Sequence, residues 1–269
     1  MRFRRGETYA HHREDSFGGN PVGNIMLDHI SAEWGLDENI SFYRHMWDPG
    51  ADYTHEKRGT VNVTIQNSIS AKALDTYNHA FGSTLGGENC SFMRNLWADN
   101  SGRNPSVGWN GIFNFVNNVV FNWVHRSSDG GDYQAMYNFI NNYYKPGPAS
   151  NKSGVVLVTS SYARSGATSW GPAKWYVNGN VIEGDANRTA DNWKAMSAEH
   201  YSLSDIRVDE RIVPEHNYYK YSKAGNVGTY DPEMYMIYNV ESGEQAYQTV
   251  LRTAGTIRRD AVEKRVVEE

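Results

Sequence analysis

Asparagine recurs at the ends of short apolar strands in this chain, and that recurrence narrows the possible folds more than any other feature. Within Asn89 to Asn118, NCSFMRNLWADNSGRNPSVGWNGIFNFVNN, two such strands flank an Arg-Asn-Pro turn. The first closes in Met93-Arg94-Asn95 and the second in Phe115-Val116-Asn117-Asn118. The same ending returns in Leu27-Asp28-His29, Ile65-Gln66-Asn67, Phe139-Ile140-Asn141-Asn142 and, more loosely, Tyr176-Val177-Asn178. The steps from Asn95 to Asn117 and on to Asn141 are about 22 and about 24 residues, inside the period that marks stacked units. Longer steps carry loop insertions. A chain that repeats this way can coil, each strand pairing in parallel with its equivalent one coil on, so that like residues stack. Asparagine suits the recurrent turn because it tolerates the left-handed conformation and its amide can bond to neighbours above and below. The expected fold is all-β, a right-handed parallel β-helix. The competing arrangement is an antiparallel sandwich with Asn-rich hairpins. Hairpins favour Asn-Gly, whereas these Asn-Asn pairs run on into apolar residues.

Along the chain, Arg2-Phe3-Arg4, Asn24 to Ser31, Ile40 to Tyr43 and Val61 to Ile69 read as strands, the last with β-branched residues at alternate positions. Pro49-Gly50 marks a turn. Tyr133 to Tyr144 forms a further coil stopped by Lys145-Pro146-Gly147-Pro148, Gly154 to Thr159 reads as one strand, and Lys174 to Ile182 restores the pattern. One domain over 1–269 is expected, with coils over about 1–184 and an irregular segment with a helix over about 185–269. That helix is Ser242 to Thr253, where Ser242 and Gln245 make a capping box and Ala246, Val250, Leu251 and Ala254 share a face. The tail is expected to pack across the side or end of the coils, where strand edges would otherwise be open.

The 26 Lys and Arg against 31 Asp and Glu leave a formal charge of −5, which argues against a nucleic-acid partner. A polyanionic ligand would have to be held by local cations or a metal. Cys90 is the only cysteine, so no intrachain disulfide supports the fold. No apolar window reaches the roughly 18 residues of a membrane span. The start, Met1-Arg2-Phe3-Arg4-Arg5-Gly6, runs into polar chain without the apolar core of a secretory signal. Either the protein is cytosolic or an upstream part is missing.

Three features carry possible chemistry. The acidic group Asp15, Glu33, Asp37 and Glu38 could supply oxygen ligands to a hard cation such as calcium, or form a solvated charged loop. Arg103 stands in the Arg-Asn-Pro turn one coil from that group, where it could meet a carboxylate-bearing substrate or remain a surface arginine. Lys72 and His79 lie in the loop between, as substrate contacts or as ordinary polar residues.

The phrases FRRGE, NIMLDHISAEWGLDENIS, NVTIQNSIS, GRNP, NFVNNVVFNW and NFINNYYKPGP, followed by TADNWKAM and VLRTAGTIRRDAVEKRVVEE, resemble polysaccharide lyase family 1, the pectate lyases. The likeness is nearest to the bacterial and fungal branch that includes pectate trisaccharide-lyases, and it covers almost the whole chain in order. The resemblance implies a calcium-dependent lyase that cleaves polygalacturonate, or pectate, by anti β-elimination. It would be a monomer, secreted or periplasmic, and would release unsaturated oligogalacturonides. It implies Asp15 as the first calcium aspartate, Asp37 as the last calcium carboxylate with Glu33 as its partner, and Arg103 as the group that removes the proton. Lys72 and His79 stand near the position of the family's substrate-binding lysine.

The sequence also departs from the family. Ser106, Val107 and Gly108 follow the Pro where a second arginine is usual, so that substrate clamp is lost or supplied elsewhere. The family also carries several coils and a helical cap before the FRRGE strand, and these are expected upstream. Two other functions compete with the lyase reading. One is a non-catalytic polyuronate-binding or relic β-helix. The other is a β-helix glycoside hydrolase using Asp37 and Glu38.

Overall fold

Each coil repeats strand, corner, strand, corner, strand, corner, and three parallel sheets result. The first sheet stacks Arg2–Arg4, Ser31–Glu33, Ile69–Ala71, Leu96–Ala98, Val119–Phe121, Tyr143–Lys145 and Val181–Ile182 in chain order. The second stacks Phe17–Gly19, Glu38–Phe42, Phe81–Gly86, Ser106–Gly108 and Asp129–Gly130. The third stacks Gly23–Asp28, Val61–Gln66, Cys90–Met93, Gly111–Val116, Ala135–Ile140 and Lys174–Asn178. Neighbouring strands pair in parallel throughout these sheets, which excludes the antiparallel sandwich. Parallel crossovers are right-handed, and the chain is a right-handed parallel β-helix. The computed structural model describes residues 1–7, 12–19, 23–42, 46–47, 56–57, 61–108, 111–131, 135–151, 157–160, 173–199, 201–213 and 240–269. The Pro49-Gly50 turn, residues 133–134 and 154–156 of two expected strands, and the aromatic-rich stretch 214–239 lie outside the described residues. Among the described residues no helix is long and apolar enough to cross a membrane.

The corners explain the asparagines. Between the third and first sheets His29, Asn67, Arg94, Asn117 and Asn141 all adopt positive φ, between 47° and 54°. Asn24, Asn62 and Asn89 do so at the start of the third sheet. Asparagine populates this left-handed region more readily than most residues because its short side chain can bond locally. The residue after the first kind of corner turns inward and forms a buried ladder. Asn95 Nδ2 donates to Asn118 Oδ1 (3.1 Å), Asn118 to Asn142 (3.1 Å), Asn142 to Asn180 (2.8 Å) and Asn180 to Asn192 (3.0 Å). Each of the first four amides also donates to a backbone carbonyl of the preceding coil, namely Ile65, Phe92, Phe115 and Phe139. A buried amide with both protons bonded avoids the desolvation penalty that an orphan would incur.

Aromatic residues fill the interior in the same register. Phe115 meets Phe139 at 4.8 Å and Phe139 meets Trp175 at 5.1 Å between ring centroids. Outside the first sheet, the helix Gly243–Thr253 starts at the expected capping box and lays Val250 and Ala254 on Ile69, Ala71, Leu96, Ala98, Val119 and Phe121. The tail therefore covers a sheet face rather than a strand edge. A second helix, Ala261–Glu268, capped by Asp260, adds Val266 to that layer and was not foreseen from sequence. Arg2 Nε bonds Glu263 at 2.5 Å and Arg4 bonds Asp260 at 2.6 and 3.0 Å, which fastens the tail to the first coil. Short helices lie at Ala186–Ala190 and Leu203–Ile206.

Candidate active site on the second sheet

Side-chain direction on the second sheet is set by a row of small polar residues that turn inward. Asn39 Nδ2 bonds Asn100 Oδ1 and the Ala71 carbonyl, both at 3.0 Å, and Asn100 in turn bonds Asn104 at 3.0 Å. The space a Cβ on Gly82 would occupy is 2.4 Å from Asn104 Oδ1, so that position also faces in and must be glycine. Because neighbours along an extended chain point to opposite faces, Glu38 and Phe81, just before Asn39 and Gly82, are turned outward, and Arg103, at a left-handed corner with φ 53°, joins the same column through its bond to Glu38 and its stacking on Phe81.

Asp15 joins the column from the preceding coil. Its Oδ1 accepts the Glu38 N–H at 3.1 Å, and Leu36 N–H bonds the Glu14 carbonyl at 2.9 Å. The turn into Glu38 closes tightly at Gly35, where a Cβ would stand 2.2 Å from the Glu38 carbonyl oxygen. One carboxylate oxygen from each of Asp15, Asp37 and Glu38 lies within 4.8 Å of the other two. Burial, and then the negative charges of Glu38 and Asp37, push the Asp15 carboxyl up to about 7. Three hard oxygen donors, crowded enough to keep a proton near neutrality, fit a divalent cation such as calcium.

The column is tied together at its centre. Glu38 Oε1 accepts a bond from Thr84 Oγ1 at 2.6 Å and one from Arg103 Nη1. Asp37 Oδ1 is bonded by His79 Nδ1 at 2.5 Å. The Phe81 ring lies between the two basic groups, with the Arg103 guanidinium carbon 4.1 Å from its centroid and the His79 ring edge-on at 4.6 Å.

Of the residues singled out from sequence, Asp15, Asp37, Glu38, His79 and Arg103 are brought together. Glu33 and Lys72 are not. In Ser31-Ala32-Glu33 it is Ala32 that enters the core, so Glu33 faces out from the first sheet, across the Trp34 corner from Asp37. There it is fully buried and paired with Arg4; burial raises its pKa and Arg4 opposes the rise. Glu38 occupies the place in the group that was expected of Glu33. Lys72 turns the next corner of the first sheet and binds Asp99 at 2.9 Å and Glu269 at 2.8 Å, holding the tail. Thr84 and Phe81 were missed. The phrase FGST carries them, but their outward direction depends on Gly82 facing in. A cavity of about 350 Å³ lined by Tyr176, Asn178, Trp193, Arg207 and Asp209 sits on the third sheet, apart from this column.

No family model matches the chain. Probable pectate lyase C of Aspergillus flavus is 36% identical over 209 residues, covering 75% of this chain and 42% of that protein. Probable pectate lyase C of Aspergillus fumigatus is 30% identical over 212 residues, with the same coverage of 75% and 42%. The chain thus spans about two fifths of the length of these relatives. The crystal structure of jun a 1, the major allergen from cedar pollen, covers 91% of this chain and 57% of its own with 15% identity and a TM-score of 0.49. At that score it adds nothing to the strand order above. The sequence relatives, aligned across three quarters of the chain, make it a relative of the pectate lyases of polysaccharide lyase family 1.

Proposed function

We propose that this chain is a calcium-dependent pectate lyase that cleaves polygalacturonate by β-elimination to unsaturated oligogalacturonides. The observation that carries the proposal is the column on the second sheet, where three carboxylates stand against one arginine. Asp15, Asp37 and Glu38 would hold the cation, and when bound it draws electron density from the uronate carboxylate and acidifies the C5 proton. Arg103 stands beside the carboxylates and would take that proton as the neutral guanidine, having first released one of its own protons to solvent, since the guanidinium has no acceptor. To do so its bond to Glu38 must give way, and Glu38 is itself one of the cation's ligands. Phe81 supports the guanidinium from below and restricts where it can move. His79 holds Asp37 in place. Elimination then breaks the C4 to oxygen bond and leaves an unsaturated uronide. The glycoside hydrolase reading is disfavoured, since it gives no part to Arg103, which the column holds against Glu38.

Arg103→Lys is the decisive variant. It keeps a positive charge but cannot reproduce the planar fork. The expected result is loss of nearly all turnover, read as ultraviolet absorbance of unsaturated product from polygalacturonate, with KM changed far less than kcat. Retention of most of the wild-type kcat in saturating calcium would remove Arg103 from the mechanism.

A further inference from the structure

The outward column does not end at Arg103. Asn104 N–H bonds the Ser127 carbonyl at 2.7 Å, Ser128 Oγ bonds the Asn104 carbonyl at 3.0 Å, and Ser106 pairs with Asp129. The coil of Arg103 is therefore stacked on that of Arg126, in a register that sets the two arginines side by side. Ser127 is fully buried, as Asn104 is in the coil before, while Arg126 just before it keeps half of its side chain in solvent. The side of the sheet is fixed independently. Val107 enters the core, so its neighbour Ser106, paired with Thr84 and Asp129, faces out in line with both. Thr84 is bonded to Glu38, and Arg126 grips Asp129 through Nε at 2.7 Å and Nη2 at 2.6 Å. Both guanidinium groups thus lie over one face, and each is held by a carboxylate of its own. Arg126 differs in exposure, with 49% of its side chain open to solvent against 25% for Arg103.

We infer that Arg126 is a substrate-binding residue that takes a second carboxylate of an acidic polysaccharide, one coil beyond the reacting unit; this rests on the proposed lyase reading. Successive coils are about 4.8 Å apart, so a single polyanionic chain lying across the sheet can touch both arginines. The column then has a polarity. The carboxylates of Asp15, Asp37 and Glu38 occupy one end, where an anionic substrate needs a bridging cation. The two arginines occupy the other, where it needs none. A guanidinium pairs bidentately with carboxylate, and Asp129 aims this one by holding it through Nε and Nη2.

The test compares oligogalacturonate of fixed length with its methyl ester, in saturating calcium, by titration calorimetry and initial rates on the full chain. Arg126→Gln is expected to weaken binding of the acid oligomer about tenfold, through KM with kcat little changed. Its affinity for the neutral ester should stay at the wild-type value, and the salt dependence of acid binding should become shallower. Arg126→Lys should recover part of the loss. Unchanged affinity for the acid oligomer in Arg126→Gln, or an equal loss on acid and ester, would overturn the assignment. A wild-type chain that cleaves polygalacturonate while Arg126→Gln matches it overturns Arg126 alone. A wild-type chain that neither binds nor cleaves it overturns the lyase reading and this inference together.

Discussion

The guanidinium of Arg103 lies 4.1 Å from the ring centroid of Phe81, and the same ring meets His79, the partner of Asp37. One uncharged side chain thus touches both the proposed base and the residue that holds a proposed metal ligand. A cation over an aromatic face is stabilised by about 0.5 to 2 kcal/mol depending on its exposure. Phe81→Leu should therefore lower kcat several-fold while calcium affinity is unchanged, and Phe81→Tyr should keep wild-type turnover. Parallel rate measurements and calcium titrations on the two variants check this.

Asp37 and Glu33 are separated by one corner of the coil and should behave oppositely. Asp37→Asn is expected to weaken calcium binding in calorimetry while leaving thermal stability nearly intact, since a loop carboxylate contributes charge and little packing. Glu33→Gln should leave calcium binding alone and lower stability by about 1 to 3 kcal/mol, because Arg4 loses its buried partner. Equal calcium affinities in wild type and Asp37→Asn would remove Asp37 from the ligand set.

Calcium affinity should rise with pH through neutrality. Asp15 holds a proton up to about 7, so below that pH a cation must displace it and above it need not. Titrations at pH 6 and 8 in buffers of different ionisation enthalpy should show proton release at the lower pH only. Asp15→Asn should abolish that release.

Acid should loosen the tail. Burial alone would raise the Glu263 carboxyl, but bonds from Ser31, the backbone at Asp260 and Thr256 outweigh it and hold the group at about 2. Its unfolded value is about 4.3. A carboxylate depressed in the folded state stabilises fully above the unfolded value, and that contribution is lost as pH falls from about 4.5 to about 2. Asp260 is also held below its ordinary range, chiefly by Arg4, and adds in the same direction. Denaturant melts at pH 6 and pH 3 should show a loss for the wild type that is about 2 kcal/mol smaller in Glu263→Gln.

The coil was legible in the sequence because its corners need a residue type. Asn67, Asn117 and Asn141 sit at left-handed positions that asparagine tolerates, and Asn95, Asn118 and Asn142 pair in the ladder one residue on. Arg103 and Asp37 could be found because their phrases are local. Glu33 could not be placed by spacing, since four residues look close until the Trp34 corner turns the chain onto another sheet. Phe81 and Thr84 depend on Gly82 facing inward, a consequence of Asn104 one coil away, and no count along the chain reveals that. The helix Ala261–Glu268 carries only Val262, Val266 and Val267 as large apolar residues, too weak a stripe to read without knowing the sheet it covers.

The amide ladder from Asn95 to Asn192 also bears on motion. Each of its middle residues spends one proton on the next coil and one on the coil before, so no single coil between them can open without stripping its neighbours. Backbone groups join the same chain, since Asn95, Asn118, Asn142 and Asn180 each donate their N–H to the next ladder oxygen. Those coils should exchange their amide hydrogens as one cooperative unit, converging on a common opening free energy. Arg103, Arg126 and the carboxylate group lie on the second sheet, away from this ladder, where the shorter row Asn39, Asn100 and Asn104 ties the coils instead.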